Sequence, residues 1–363
     1  MMEYNLHHVN GLFFEIKGDE GKNREYEVSF VERETNKTIY ETKMKVGTWS
    51  RLDRKYLSDL MVLVRFEGRT IKQLNILDEI RGKRVFISFE SKSLGDTLAW
   101  MPYCDEFRKD YGCEVIVSTF MNHLFEKAYP ELEFVGRGVV VQNIVGMFEL
   151  GWFYNKAKEP QHPVTIPLQK AATNILNLDF KEVIPALDFT PSNRPIQQKY
   201  VCISIHSTAK LKYWDYWQEL VDWLVSEGYQ VCEVSKEKTE LNNLTEVLDK
   251  SLPSVMNYLH HAEFYIGLSS GISWLSFALR KRVFMIANFS TKDHEFQTDC
   301  IRITDESVCH GCWNNPMFKF DKSSWGYCPA HEDTPQAFEC HKEIKAEIVI
   351  NKIKEHGYSL QTY

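Results

Sequence analysis

No apolar run in this 363-residue chain reaches the roughly 18 residues that a membrane-crossing helix needs. Its opening residues, Met1 to His8, hold neither a basic patch nor an apolar stretch. No secretory signal is therefore expected, and a cytoplasmic protein is. In that compartment the sequons at Asn36, Asn243 and Asn288 carry no meaning, because they never meet the glycosylation machinery. An excess of positive charge is also missing. Lys and Arg number 43 against 50 Asp and Glu, a net charge of −7, which argues against a nucleic-acid or anionic-membrane surface. There is no G-x-G-x-x-G, so a dinucleotide redox cofactor is not supported.

The composition is that of a soluble globular protein, with 44% hydrophobic and 26% charged residues. The length allows two to three domains. Aromatics reach 13%, with nine Trp, which suits a large core or a sugar-binding cleft. Residues 1–80 alternate as strands, with a hairpin predicted around the turn at 35–37 and a further strand over 60–66. From residue 84 the pattern changes to strand (84–89), loop (90–96), helix (97–111, stopped by Gly112) and strand (114–118). This is a βαβ unit and implies a parallel sheet. Pro191 and Pro195 mark a linker. The pattern then restarts with a strand at 200–205, a helix at 213–227 and a strand at 230–234. A helix at 255–261, a strand at 264–267, a helix at 272–279 and a strand at 282–286 follow. The fold class is α/β, with two Rossmann-like domains facing a cleft and ligands expected at the carboxyl ends of the strands. The expected boundaries are a β-rich accessory domain at 1–80, one Rossmann-like domain at 81–195 and a second at 196–363.

Four of the nine cysteines crowd into 309–340, as Cys309, Cys312, Cys328 and Cys340. The C-x-x-C pair can grip one ion from a tight turn, and two further thiols complete a tetrahedral set. Soft thiolates select zinc or iron. His310, His331 and His341 lie close by and leave the third and fourth ligands open, and free buried thiols are the plainer alternative. Four thiolates leave no open coordination position, so a metal here is a structural staple.

Three strand-end loops carry the candidate chemistry. The first is Ser93, Leu94, Gly95, Asp96 and Thr97, where Asp96 suits either a general base or a helix N-cap. The second, 204–214, offers Ser207, Thr208, Lys210 and Lys212, which suit a diphosphate or a solvated loop. In the third, Ser269, Ser270 and Gly271 lead into a helix, a ready anion site or a plain capped turn. An acid opposite hydroxyls, amides and Lys is the layout of a sugar-nucleotide glycosyltransferase that needs no metal for chemistry.

Together, the segments 93–103 (SLGDTLAWMPY), 212–214 (KYW), 267–275 (GLSSGISWL), 309–316 (CHGCWNNP) through Trp325, 328–329 (CP) and 338–340 (FEC) resemble the bacterial autotransporter heptosyltransferases, across roughly 84–345. These are distant relatives of the lipopolysaccharide heptosyltransferases. The resemblance implies a GT-B fold, an ADP-heptose donor and inverting O-linked transfer to Ser hydroxyls of an autotransporter-like protein. It implies Asp96 as base, and Lys212, more than Lys210, as diphosphate ligand. Ser93, Leu94, Gly95, Thr97, Ser207, Thr208, Ser269, Ser270 and Gly271 are then expected to line the substrates. It further implies one structural ferric iron per chain on Cys309, Cys312, Cys328 and Cys340, with zinc as the alternative, and a homo-oligomer for which the family implies a dodecamer. Competing readings are another nucleotide sugar or a carbohydrate acceptor, a catalytically silent metal-stapled scaffold, and a rubredoxin-like electron carrier.

Overall fold

Two compact units, each assembled from separated stretches, make up the chain. The computed structural model describes residues 3–18, 24–156, 159, 161–237, 239–318, 320 and 326–357. The first unit comprises residues 1–92, 100–160 and 169–181, and the second 93–99, 161–168 and 182–363.

The first unit begins with seven strands: β1 (Glu3–His8), β2 (Leu12–Lys17), β3 (Tyr26–Glu32), β4 (Lys37–Met44), β5 (Trp49–Leu52), β6 (Leu60–Phe66) and β7 (Arg69–Asn75). Alternation drives them. Tyr26, Val28 and Phe30 of β3 and Val62 and Val64 of β6 are buried on one face. The turn between β3 and β4 puts Asn36 at φ 54°, a conformation that Asn tolerates. A short helix, α1 (Ile76–Ile80), is capped by the Asn75 side chain, which accepts from Leu77 N at 2.8 Å. It leads into β8 (Arg84–Phe89).

The helix expected over 97–111 is two helices, α2 (Leu94–Trp100), of which residues 94–99 lie in the second unit, and α3 (Pro102–Tyr111). Pro102 lacks the N–H that a continuous helix would use. Gly112, at φ 62°, ends α3 in the left-handed conformation. The unit continues through β9 (Glu114–Ser118), β10 (Glu133–Phe134), β11 (Gly146–Leu150) and α4 (Leu168–Leu176), of which residues 169–176 lie in this unit.

The N-terminal strands divide between two sheets. One has the order β4-β3-β6-β7 and the other β10-β9-β8-β11-β1-β2-β5. The β1–β2 hairpin lies against the parallel strand β11, with His8 N donating to Val145 O at 2.7 Å. It thereby covers an edge that would otherwise expose unpaired backbone.

The second unit is a five-stranded, all-parallel sheet of order β13-β12-β14-β15-β16. Its elements are β12 (Tyr200–Ser204), α5 (Trp217–Ser226), β13 (Gln230–Glu233), α6 (Leu252–His261), β14 (Tyr265–Leu268), α7 (Gly271–Ala278), β15 (Val283–Ile286), β16 (Cys300–Ile303), α8 (Glu339–Lys342) and α9 (Ala346–Gly357). Every residue of β12, β14 and β15 is buried, as in a parallel sheet covered on both faces. Helix α5 starts four residues later than 213. Trp214 instead buries itself and donates its Nε1–H to Ile344 O at 2.5 Å. Trp214, Leu220, Val221 and Leu224 form a core with Val349 and Ile353 of α9. The chain runs outward from β12 to β13 and then resumes on the other side with β14. The β12–β14 junction is thus the switch point, where such sheets bind ligands.

Candidate functional site

Four loops of the second unit meet at that switch point. The segment 93–99 belongs to this unit although it follows β8 of the first. Its backbone lies against the start of α7. A Cβ on Gly95 would sit 3.2 Å from Trp274 Cδ1 and 3.6 Å from Gly271 Cα, and one on Gly271 would meet Leu94 Cβ at 3.0 Å and Gly95 N at 3.3 Å. The two glycines let these backbones touch. Gly271→Ala is therefore expected to force 93–96 and 269–271 apart and to cost about 1–3 kcal/mol, the usual range for overpacking. A lowered thermal midpoint checks this, and an unchanged one would contradict it.

Asp96 is not the helix cap. Ser93 fills that place: its Oγ accepts from Asp96 N at 3.4 Å, and its carbonyl accepts from Thr97 N at 3.0 Å and Thr97 Oγ1 at 2.8 Å. The Asp96 carboxylate lies half-buried in the first turn of α2.

Lys212 closes a 3₁₀ turn (Lys210–Lys212) whose Leu211 is buried. Its Nζ donates to Ser269 O at 2.8 Å and Ser269 Oγ at 3.3 Å. Burial lowers its pKa, while Glu295 and then Asp96 pull it back up. Asp96 and Lys212 are therefore within electrostatic reach of each other. Lys210 and Thr208 are exposed, and Ser207 Oγ donates to Ala209 O at 2.9 Å. The structure thus brings Asp96, Gly95, Lys212, Ser269 and Gly271 together and leaves Lys210 and Thr208 outward. Ser270 is the α7 N-cap residue in an extended conformation, without a side-chain cap bond, and its buried Oγ lies near the Tyr265 hydroxyl. The α7 amides and this hydroxyl are what an anion needs.

The sequence did not reveal the groups beneath. Glu295 is buried to 3% exposure. It accepts from Ser269 Oγ in a short bond, from Ser290 Oγ at 2.8 Å and from Arg302 Nη1 at 2.5 Å. Burial alone would raise its pKa, but Arg302, His294 and Lys212 outweigh that and bring it to about 2. Its ionised form therefore stabilises the fold above the ordinary Glu range, and that contribution is lost as pH falls toward 2. The neighbouring His294 accepts from Trp313 Nε1 at 2.9 Å, and burial lowers its pKa. The available signal was the run Asp293-His294-Glu295 following a strand end.

Downstream, Cys309, Cys312, Cys328 and Cys340 line one cavity of about 20 Å³ together with Leu211 and His331. That is room for a single water-sized sphere. All four are free thiols. Among the described residues, no group of three or more His, Cys, Asp or Glu side chains is placed to hold a metal ion. The donor type, four thiols, is the one that soft cations take. Burial, then neighbouring thiols, push Cys312 and Cys340 up to about 12, a penalty that a bound cation reverses. Trp325, quoted with this motif, lies outside the described residues.

Residues 139–325 match the model of glycosyltransferase family 9 (heptosyltransferase). The autotransporter heptosyltransferase Aah of Escherichia coli is 31% identical, over 92% of this chain and 90% of that one. The chain belongs to glycosyltransferase family 9. This family 9 glycosyltransferase also superposes on the iron-containing dodecameric glycosyltransferase TibC of enterotoxigenic E. coli. The TM-score is 0.85 at 26% identity, covering 99% of this chain and 96% of TibC. A second TibC structure, in complex with ADP-D-beta-D-heptose, gives a TM-score of 0.83 at 26% identity over 97% and 95% of the two chains. A relative described as inactive, the autotransporter heptosyltransferase BimC of Burkholderia thailandensis, is 27% identical over 88% of this chain and 79% of its own length. Among the described residues, no helix is long and apolar enough to cross a membrane.

Proposed function

We propose that this enzyme is an inverting, GT-B type protein O-heptosyltransferase acting in the cytoplasm. It moves heptose from ADP-heptose to Ser hydroxyls of an autotransporter-like protein. The observation that carries this reading is the meeting of Asp96, Lys212 and the α7 N-terminus at the switch point of a family 9 sheet. It is supported by the likeness to TibC, whose structure holds ADP-heptose.

In this reading Asp96 takes the proton of the acceptor hydroxyl. The hydroxyl oxygen bonds to the anomeric carbon as the bond from that carbon to the ADP oxygen breaks, and configuration inverts. The charge left on ADP is received by Lys212 and by the amides and hydroxyls of Ser269, Ser270 and Gly271. Lys212 has three N–H donors and spends two on Ser269, which leaves one for the diphosphate. Ser93, Leu94, Gly95, Thr97 and Ser207 line the substrates, outward-facing Thr208 does not, and the strands of residues 1–80 engage the acceptor and neighbouring subunits of a homo-oligomer, a dodecamer as in TibC.

Cys309, Cys312, Cys328 and Cys340 would hold one iron, with zinc the alternative, as a staple for the 309–340 segment. A metal there supplies cross-linking and no chemistry at the sugar.

The reading is tested by incubating the protein with ADP-heptose and a Ser-rich autotransporter fragment and weighing the fragment by mass spectrometry. Whole heptosyl increments on Ser are expected. An unmodified fragment alongside a modified carbohydrate acceptor would move the assignment to carbohydrate transfer. Replacing Lys212 with Met is expected to weaken ADP affinity about tenfold or more, read by calorimetry, because one charged hydrogen bond is lost.

A further inference from the structure

We propose that Glu295 is a positioning residue for this reaction, holding Lys212 in place and charged through the Ser269 hydroxyl. The inference rests on the assignment of Lys212 to the diphosphate.

The geometry is a relay with one polarity throughout. Lys212 Nζ donates to Ser269 Oγ at 3.3 Å and to Ser269 O at 2.8 Å. Having accepted from Lys212, Ser269 Oγ turns its own proton to Glu295 Oε1. Ser290 Oγ donates to the same oxygen at 2.8 Å, and Arg302 Nη1 to the other at 2.5 Å. Arg302 in turn fixes the Ser290 carbonyl through Nη2 at 2.7 Å. Each hydroxyl in the chain can satisfy every partner only if Glu295 is an ionised acceptor. A neutral side chain at 295 would have to present a proton either to a hydroxyl that is already donating or to a guanidinium.

Charge leads to the same conclusion. Glu295 (from the loop after β15), half-buried Asp96 (from α2) and Arg302 (from β16) act electrostatically on Lys212, and Lys212 itself acts on His341 (from α8) and on His294 (beside Glu295). Glu295 is the strongest of the stabilising influences on Lys212, ahead of Asp96. Glu295 also has no opening to solvent through which it could serve another ligand. The loop that presents it is anchored by its neighbour His294, which Trp313 and Asn314 grip at 2.9 and 3.2 Å. The 309–340 segment therefore reaches the diphosphate lysine by a second route, besides Leu211.

The test is Glu295→Gln, with Glu295→Gln combined with Arg302→Gln as a second variant. The double variant removes both members of the buried Glu295–Arg302 pair, so neither is left facing an uncompensated partner, and it is expected to fold even if the single variant does not. Two readouts are taken from neutral to alkaline pH. One is the titration of Lys212 by NMR of ¹³Cε-lysine protein, assigned with Lys212→Arg. The other is ADP affinity by calorimetry. Removing the anion lowers the pKa of Lys212, so its proton leaves earlier and the alkaline loss of ADP affinity moves to lower pH. A shift of about one unit is expected, which is a loss of about fivefold in affinity at the wild-type midpoint and approaches tenfold well above it. Arg302 opposes Glu295 at Lys212 and is the weaker of the two, so the double variant shifts in the same direction by less. A residue with only a structural role would lower the thermal midpoint and leave both profiles in place, and that result overturns the inference. If the Lys212 titration shifts as stated while wild-type protein binds no ADP, the relay stands and the diphosphate assignment fails.

Discussion

Asp96→Ala is expected to lower the transfer rate by about 10²- to 10⁴-fold, the usual contribution of a general base. ADP affinity should be unchanged or slightly tighter. Asp96 sits in the field of Lys212, and removing its negative charge relieves repulsion with the diphosphate while slightly lowering the pKa of the lysine. The fold should survive. Asp96 is half-buried, and as an acid in the first turn of α2 it contributes about 0.3–1 kcal/mol to the helix. Ser93 continues to cap the helix. Steady-state transfer beside calorimetric ADP binding checks the prediction. Loss of both in parallel would point to structural damage, and unimpaired turnover would remove Asp96 from the chemistry.

Replacing Cys309 and Cys312 together with Ser is expected to reduce bound metal from one ion per chain to near none and to lower the thermal midpoint. Structural zinc in small domains contributes about 10–16 kcal/mol of apparent binding free energy, so losing the ion unlinks everything the segment holds. Here that includes an apolar cluster of Ala209, Leu211, Phe289 and Cys312, with Trp313 and Phe320 against it. Gly311 N and Trp313 N donate to Asn288 O and Phe289 O at 2.7 and 2.9 Å, and Asn288 Nδ2 donates to Cys340 O at 2.7 Å. Since Leu211 precedes Lys212, transfer should fall along with metal content. Metal analysis and melting curves on the same preparations check this. Undiminished metal in the double variant would refute the four-cysteine assignment.

Much of the second unit could be read from the sequence because parallel, doubly covered strands leave continuous apolar runs. β12, β14 and β15 fall within a residue or two of their expected places. β16 did not stand out. Cys300-Ile301-Arg302-Ile303 is short, only partly buried and broken by an arginine whose charge is matched by Glu295. Missing that strand hid the Glu295–Arg302 pair. The single helix expected at 97–111 failed at Pro102, where a local backbone rule overrides apolar periodicity. The early start expected for α5 failed because Trp214 gains more by burial than by helical continuity. The division of the N-terminal strands between two sheets is a long-range pairing, β1 with β11, that alternation alone does not encode. At the site, the residue types were legible, but the assignment of Asp96 was not. Only the Ser93 bond to Asp96 N separates the acid from the cap.

The most direct test of the account is ADP release from ADP-heptose by the wild-type protein, with and without a Ser-rich autotransporter fragment. Release that depends on the fragment, and disappears in Asp96→Ala, is the predicted result. Bound ADP with no release under any of these conditions would contradict it, and would place this chain with its inactive relative rather than with the transferases.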